Sequence, residues 1–460
     1  MNNVNLGFLL SMAAEALLDP ERPFLQGRES AEEYLKRFRV NDPEDIETVL
    51  KTSLRFSEFQ EIGLYHKSGL FNTMVDYQHG MPMLPQALSP LFGKAMTEYF
   101  FQLYDDINFP NSPNPTFLEL GAGQGFLAHD LVAHILSKSF GNEKRVTSVD
   151  AFRKESKFII TDRIQNSLGL LRRELSDLLE DERIKGKVEI QKLDALDFSL
   201  GQYQYGIIFA NELVDATPTE LIVNMGGEYY SIRVLPLNPN MESEEPAVIK
   251  KLSSSIGVKG IVPEKKFREA LENGYSDQIK FVPVFVPLKY DKFLSHHAAR
   301  LSSVRNINSD DFGGIYPVSI GLHGLFTSVR RSFQHGVVVL IDYYSFHNGH
   351  HNWNKAVNQF RFYRIGKMDI DFQIDPQQVT EVASKNGFEQ VSVQSLRDLV
   401  SRHTGLIQDF EMNDLLRWAT ANRQLRGKQY PEIILRRGMQ MAYETLISIA
   451  EGYAVMTYKF

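Results

Sequence analysis

Residues 116–125 read TFLELGAGQG, and this segment constrains the fold more than any other part of the sequence. A short apolar run ends in glycines at every second position: Gly121, Gly123 and Gly125. The following residues carry apolar side chains at helical spacing: Leu127, Leu131, Ile135 and Leu136. An apolar strand, a glycine turn and a helix in this order predict the first β-α unit of an open α/β sheet.

Short apolar runs alternate with helical patterns after this unit, which indicates a parallel sheet with crossover helices. The candidate strands are residues 116–120, 157–161, 187–191, 205–210 and 336–341. Residues 220–224 and 229–235 flank Gly226-Gly227 and predict a hairpin. We therefore expect an α/β fold, a Rossmann-like three-layer sandwich.

The same patterns divide the chain into regions. Helical spacing in residues 31–37, 44–51 and 90–104 predicts a mostly helical N-terminal part, and the breaker cluster Asn111–Pro115 marks its end. The polar residues 236–275 predict an exposed insertion. The expected regions are a helical N-terminal region (1–110), the first part of the core (111–235), an insertion (236–330), the last part of the core (331–400) and a helical C-terminal cap (401–460).

The composition excludes several classes of function. The 460 residues contain no cysteine, which excludes disulfides, thiolate catalysis and zinc sites built on sulfur. The formal net charge of -7 gives no overall basic field for nucleic acid or anionic lipid. No apolar stretch reaches the roughly 18 residues of a membrane helix, so we expect no membrane and no nucleic-acid partner. The first residues lack a basic leader segment, and we expect a cytoplasmic protein.

The residues around the glycine turn distinguish between two nucleotide cofactors. Glycines let the backbone approach a ligand closely and expose its amide groups. A dinucleotide fingerprint has glycine or alanine at the position of Phe126, and no acid at the position of Glu119. Both features favour S-adenosylmethionine over NAD and make Glu119 and the three glycines candidate cofactor-binding residues. A tight turn that binds no ligand is the alternative.

Two acidic residues downstream extend this candidate site. Asp162 closes the second strand, where a carboxylate can accept hydrogen bonds from both ribose hydroxyls. It lies farther from the glycine turn than the usual spacing of about 20 residues, so residues 137–156 are an insertion in the connection. Asp194 follows the third strand, where an acid can accept a hydrogen bond from the adenine amino group. The alternatives are a helix N-cap for Asp162 and a solvated loop acid for Asp194, the interpretation that we prefer for Asp197.

Three polar residues follow the apolar fourth strand: Asn211, Glu212 and Asp215. Ligands of open α/β sheets bind at the carboxyl ends of the strands, so these side chains are expected over the reactive methyl group as candidate catalytic residues. Asn and Asp also favour turns, which is the alternative explanation.

Two further clusters carry less information. The tract with His347, His350 and His351 has no carboxylate at ligand spacing, so we interpret it as a surface loop and predict no metal site. The basic residues within 417–437 are more typical of the solvated side of an amphipathic helix than of a site for an acidic partner.

Four segments occur in the order ELGAGQG, NELVDATP, VVVLIDYY and MDIDFQID, and together they resemble the MidA-type methyltransferases. Ser89–Gly93 are similar to the segment that precedes the nucleotide fold in that family, and the resemblance covers about residues 60–400. It implies a class I methyltransferase fold, with seven strands and an antiparallel end strand, and S-adenosylmethionine as the cofactor. The family includes a mitochondrial complex I assembly factor that methylates a protein arginine, which implies an arginine acceptor.

Three positions depart from the family's pattern. Tyr344 stands where the family has glycine, Gln373 where it has histidine, and Asp162 where it usually has glutamate. We expect a methyltransferase that acts on a protein side-chain nitrogen such as arginine, with Glu212 and Asp215 as the carboxylates that neutralise and orient it. The departures leave a non-catalytic, cofactor-binding assembly or interaction protein as the alternative, and an NAD-dependent oxidoreductase as a weaker one. A protein substrate is the expected partner, and a homodimer is compatible with the sequence.

Overall fold

The computed structural model describes residues 36–73, 91–106, 115–137, 156–237, 261–262, 264–273, 279–301, 314–344, 374–404 and 450–460. The strands are β1 (Leu54–Arg55), β2 (Thr116–Leu120), β3 (Lys157–Asp162), β4 (Val188–Lys192), β5 (Tyr203–Asn211), β6 (Thr219–Met225), β7 (Glu228–Leu237), β8 (Lys280–Pro287), β9 (Ile315–Ser319), β10 (Phe333–Tyr343), β11 (Glu389–Ser395) and β12 (Tyr453–Lys459). The helices are α1 (Pro43–Thr52), α2 (Phe56–Tyr65), α3 (Leu70–Thr73), α4 (Leu91–Asp106), α5 (Phe126–Ser137), α6 (Gln165–Glu174), α7 (Ser176–Leu179), α8 (Glu264–Glu272), α9 (Lys292–Ala298), α10 (Leu322–Ser332), α11 (Pro376–Lys385) and α12 (Leu396–Thr404).

Seven strands form the core sheet in the order β11-β12-β10-β5-β2-β3-β4. Strands β4, β3, β2, β5 and β10 run parallel to their neighbours, whereas β12 is antiparallel to both β10 and β11. All five strands predicted for the core are present. The predicted α/β sandwich is therefore confirmed, with the antiparallel strand second from one edge rather than at the end of the sheet.

Helices cover both faces of this sheet because its strands carry apolar side chains on both sides. In β5, Ile207 and Phe209 pack into one core with residues of α4, α5 and α12. Ile208 and Ala210, which alternate with these two residues along the strand, pack into a second core with residues of α10 and α11. Such alternation follows from the two-residue period of a strand, and it gives the three layers of the fold.

A second, antiparallel sheet is inserted between β5 and β10. Its order is β1-β7-β6-β9, with β8 also paired to β7. The predicted hairpin is β6 and β7, and its turn residues Gly226 and Gly227 have φ values of 67° and 87°. These left-handed conformations are typical of a two-residue hairpin turn and favour glycine.

Two of the expected region boundaries differ from the structure. The hairpin, placed with the core in region 111–235, belongs to the second sheet, together with β1, β8 and β9. Helix α10, the end of the expected insertion, packs on the core sheet. Within the polar segment 236–275, α8 contributes the buried residues Phe267 and Leu271 to the core of the inserted sheet.

The expected helical cap at residues 401–460 is wrong for residues 453–459, which form β12. This strand pairs along its whole length with β10, from Val337↔Lys459 to Tyr343↔Tyr453. The hydrogen bonds to two neighbouring strands decide its conformation, and no local pattern encodes them. Helical predictions for residues 44–51 and 90–104 correspond to α1 and α4. The helical predictions for residues 405–449, for most of residues 31–37 and for the start of the chain fall outside the described residues. No helix among the described residues is long and apolar enough to cross a membrane.

Candidate functional site

A cavity opens at the carboxyl ends of β2, β3, β4 and β5, where ligands of open α/β sheets bind. Its lining includes most of the sequence-predicted site residues: Gly121, Gly123, Asp162, Asp194, Asn211, Glu212 and Asp215. Two predicted residues, Glu119 and Gly125, do not line it. Segments far apart in the sequence thus meet at one edge of the core sheet.

The glycine turn between β2 and α5 requires glycine at each of its three positions. Gly121, Gly123 and Gly125 have φ values of 69°, 57° and 86°, in the region that L side chains rarely adopt. A Cβ built on Gly123 has no neighbour within 4 Å, so the space beside this residue is open. A Cβ on Gly125 would lie 3.2 Å from the Leu171 side chain, so this glycine allows α6 to pack closely against the turn.

Asp162 fixes the glycine turn to the end of β3. Its Oδ2 accepts a hydrogen bond of 2.9 Å from the Gly123 amide, and its Oδ1 accepts one of 2.7 Å from the Ile164 amide. Burial raises the pKa of this carboxyl, and these backbone donors oppose the shift. Ile164, not Asp162, is the N-cap of α6, so the N-cap alternative does not describe this residue.

Glu119 lies beneath the turn, within β2. Its side chain is buried, and its Oε2 has no hydrogen-bond partner among the described residues. Burial, and secondarily the charge of Asp162, raise the pKa of Glu119 to about 8. A buried carboxyl with an unsatisfied oxygen is costly unless a ligand or solvent completes it.

Asp194 belongs to a charged network that the sequence analysis did not identify. Its Oδ1 accepts a 3.0 Å hydrogen bond from the Leu196 amide, and its Oδ2 lies 3.8 Å from Arg163 Nε. Both terminal nitrogens of Arg163 donate to the Glu61 carboxylate, and its guanidinium lies 4.0 Å from the Tyr65 ring centroid. Arg163 and Tyr65 line the cavity. Arg163 directly follows Asp162 in the sequence, and this adjacency was the one feature that could have predicted its place at the cavity.

The loop after β5 carries the three candidate catalytic residues. Asn211 ends the strand, and Glu212 has a φ of 50°, the only positive value at a non-glycine residue in the described part of the chain. The residues form a turn rather than a helix. Glu212 and Asp215 nevertheless both line the cavity.

A buried carboxylate from β10 holds this loop. Asp342 Oδ2 accepts hydrogen bonds of 2.7 Å and 3.2 Å from the amides of Val214 and Asp215. Its Oδ1 accepts a 2.9 Å hydrogen bond from the Tyr343 amide. Burial raises the pKa of Asp342 to about 7, against the lowering effect of these amides. The segment VVVLIDYY contained this residue, but its hydrogen bonds join positions too distant to infer from sequence.

Two other segments also contact the loop. Gln60 of α2 donates a 2.8 Å hydrogen bond to the Asp215 carbonyl and accepts one of 3.1 Å from the Thr219 amide. The Tyr453 hydroxyl of β12 donates a 2.9 Å hydrogen bond to Glu212 Oε1. The N-terminal and C-terminal parts of the described chain therefore both shape the site.

Of the positions that depart from the family's pattern, Tyr344 lies outside the cavity wall. Tyr344 is buried in the core beside the sheet, and its hydroxyl donates to the Glu451 carbonyl at 3.3 Å. Gln373, the histidine-rich tract and the basic residues within 417–437 lie outside the described residues. The described segments contain no group of three side chains that could hold a metal ion.

Similar proteins share this fold. Two structures from Burkholderia thailandensis belong to one superfamily: an uncharacterised protein, and a second member bound to S-adenosyl-homocysteine. The first has 16% sequence identity and a TM-score of 0.55, over 92% of this chain and 94% of that one. The second has 17% identity and a TM-score of 0.57, over 92% and 95%. A search of curated proteins found no significant match.

The family assignment comes from the sequence match. The model of a family of S-adenosyl-L-methionine-dependent methyltransferases matches residues 95–394, which is more than half of the chain. The matched range includes both the glycine turn and the loop after β5. The chain therefore belongs to this family of S-adenosylmethionine-dependent methyltransferases, in agreement with its resemblance to the MidA-type enzymes.

Proposed function

We propose that this methyltransferase modifies a protein side-chain nitrogen, and that the acceptor is an arginine guanidinium. The observation that carries the proposal is the pair of carboxylates, Glu212 and Asp215, on the wall of the cavity that the glycine turn also lines. A guanidinium is cationic and planar, so carboxylates both neutralise it and form paired hydrogen bonds with it. The MidA-type family that the sequence resembles includes a factor that methylates a protein arginine, which supports the same acceptor by analogy.

The residues around the cavity fit S-adenosylmethionine. We assign Gly121 and Gly123 to its methionine part, Asp162 to the ribose and Asp194 to adenine, because the turn exposes open space and the acids lie on the cavity wall. Gly125 contributes through the packing of α6 against the turn. The unsatisfied Oε2 of Glu119 beneath the turn suits a polar group of the cofactor or an ordered water. The Burkholderia thailandensis structure with bound S-adenosyl-homocysteine supports this assignment.

The reaction asks the protein mainly for alignment, since the nitrogen that gains the methyl group has only to release one proton, to a nearby carboxylate or to water. S-adenosylmethionine supplies an activated methyl group on a sulfonium. The chain must hold a cationic acceptor close to that second cation and exclude water. Glu212 and Asp215 supply the negative charge, and Asn211 offers an amide for orientation.

A labelling experiment tests the proposal. The protein is incubated with methyl-labelled S-adenosylmethionine and cell extract, and labelled proteins are identified together with the modified residue. Glu212→Gln should bind S-adenosylmethionine like the unmodified protein, because Glu212 acts on the acceptor, yet methylate about 10²-fold more slowly. Glu389→Gln is the matched control, since Glu389 is exposed on β11 and pairs with Lys459.

The outcomes separate the alternatives. Full activity of Glu212→Gln, or loss of its cofactor binding, would remove Glu212 from the acceptor site and the arginine assignment with it. Cofactor binding without formation of S-adenosylhomocysteine from any extract protein or small molecule would favour the non-catalytic alternative. Calorimetric binding of NAD in place of S-adenosylmethionine would favour an oxidoreductase. The absence of cysteine fits a reducing compartment, and we propose the cytoplasm, which localisation of a tagged chain tests.

A further inference from the structure

We infer that Tyr453 is a positioning residue for methyl transfer, which holds the Glu212 carboxylate in the orientation that the acceptor requires. The inference rests on the proposed function, because it gives Glu212 the role of acceptor-binding carboxylate. Its basis is the 2.9 Å hydrogen bond from the Tyr453 hydroxyl to Glu212 Oε1. The two residues are 241 positions apart in the sequence.

The backbone at Glu212 has a conformation that is rare for a residue with a side chain. Its φ of 50° lies in the left-handed region, which is strained for a non-glycine residue. Such strain persists only where surrounding contacts over-determine the conformation, and it concentrates at functional sites. Here the Glu212 amide donates a 2.8 Å hydrogen bond to the Ile341 carbonyl of β10.

The backbone contacts do not orient the Glu212 side chain. Asp342 holds the amides of Val214 and Asp215, and Gln60 holds the Asp215 carbonyl, so these groups fix the course of the loop. A glutamate side chain still has three rotatable bonds whose ordering costs free energy. The Tyr453 hydroxyl, in contrast, donates directly to the carboxylate.

Tyr453 is suited to this role by its rigidity and its protonation. Its ring is completely buried in β12, and the ring centroid lies 4.1 Å from that of Tyr343 on the paired strand. Burial first, and then the charge of Glu212, raise the pKa of Tyr453 well above its ordinary value. The hydroxyl therefore stays protonated at neutral pH and donates to the carboxylate. A carboxylate has about four acceptor sites, so this bond leaves capacity for a cationic acceptor.

The test compares Tyr453→Phe, Glu212→Gln, their combination and a control tyrosine in the same strand. Tyr458 is also completely buried in β12, but it packs in the core on the other face of the sheet, and its hydroxyl lies 3.0 Å from Thr380 Oγ1. Tyr458→Phe therefore removes a buried hydroxyl without touching the site. The acceptor found by labelling is used to measure kcat and the KM for S-adenosylmethionine.

We expect Tyr453→Phe to lower kcat about 10- to 100-fold, the effect of one hydrogen bond to a charged group. The KM for S-adenosylmethionine should stay unchanged, and Tyr458→Phe should behave like the unmodified protein. The combined variant should be no slower than Glu212→Gln, because Tyr453 acts through Glu212. An unchanged kcat in Tyr453→Phe overturns the inference. So does a combined variant slowed by the product of the two single effects, which a general structural role would produce.

A second measurement needs no turnover. Crystal structures of the S-adenosylhomocysteine complexes should show the Glu212 carboxylate moved from its position in Tyr453→Phe, and unmoved in Tyr458→Phe. If no acceptor is methylated, the proposed function fails, while a displaced Glu212 carboxylate in Tyr453→Phe still supports the positioning role of Tyr453. A Glu212 carboxylate that keeps its single orientation in Tyr453→Phe overturns the inference in either case.

Discussion

Asp342 offers a sharp test of how the acceptor side of the cavity is held. Its carboxylate is completely buried and accepts three backbone hydrogen bonds of 2.7 Å, 2.9 Å and 3.2 Å from Val214, Tyr343 and Asp215. Asp342→Asn preserves the shape of the side chain but replaces one oxygen with an NH₂ group. The replacement must therefore set a donor against at least one backbone amide.

The cost of Asp342→Asn can be worked through the individual bonds. If the amide oxygen replaces Oδ2, the bonds to Val214 and Asp215 become neutral, which loses about 1 kcal/mol each. The Tyr343 amide then faces another donor and stays unsatisfied, which costs roughly 1–3 kcal/mol. Burial raises the pKa of Asp342 to about 7, so the folded protein bears a cost for burying the charged carboxylate. The neutral asparagine side chain avoids this cost, which offsets part of the loss. We expect a net loss in the free energy of unfolding of about 2–4 kcal/mol.

Urea unfolding and calorimetry with S-adenosylhomocysteine measure the effect. Leu213 and Pro218, in the same loop, line the cavity, so a displaced loop should also weaken binding by about tenfold or more. Asp291→Asn is the matched control, because Asp291 is equally an acid buried by the fold but pairs with Arg233 in the inserted sheet. It should lower stability and leave the affinity unchanged. An Asp342→Asn protein with the stability and affinity of the unmodified protein would refute the role of Asp342.

Two further predictions concern packing and pH. Gly93→Ala should lower the Tm at an unchanged affinity for S-adenosylhomocysteine, since its Cβ would lie 2.4 Å from the Asp130 Cβ where α4 meets α5, an overpacking that costs about 1–3 kcal/mol. Gly169→Ala in α6, whose Cβ meets no atom within 4 Å, is the control, and an unchanged Tm in Gly93→Ala would contradict the packing argument. The pKa of Glu119 is raised from 4.5 to about 8, so the folded state holds a proton that the unfolded state lacks, and this contribution to stability falls as the pH rises through that range. The Tm of Glu119→Gln relative to the unmodified protein should therefore rise between pH 5 and 8, and a difference that is flat with pH would count against the shifted pKa.

The parts of the fold that the sequence predicts are those encoded by contiguous residues. The glycine turn and the strand before it occupy residues 116–125, and their chemistry is local. Apolar runs such as residues 336–341 identify core strands because a parallel strand is buried on both faces. The same reasoning located residues of the cavity at four strand ends, since the carboxyl ends of parallel strands meet at one edge of a sheet.

The strands that sequence analysis missed depend on pairing between distant segments. The run YAVMTYK in β12 is buried along almost its whole length, and a short buried run cannot be told from a helix segment by periodicity alone. In β8, Pro283 and Pro287 interrupt an otherwise apolar run, and proline within such a run argues against a strand when only the sequence is known. Both segments become strands because β10 and β7, respectively, offer matching hydrogen-bond partners.

The two sides of the cavity therefore differ in how they depend on the rest of the chain. The glycine turn is hydrogen-bonded to the end of β3 through Asp162, and Gly125 packs against Leu171 of α6. The loop after β5 is instead held from three directions, by Gln60 of α2, Asp342 of β10 and Tyr453 of β12. A change in the N-terminal or C-terminal part of the chain can consequently alter the position of the acceptor carboxylates while the glycine turn keeps its geometry. Substitutions far from either ligand should thus slow methyl transfer more than they weaken cofactor binding.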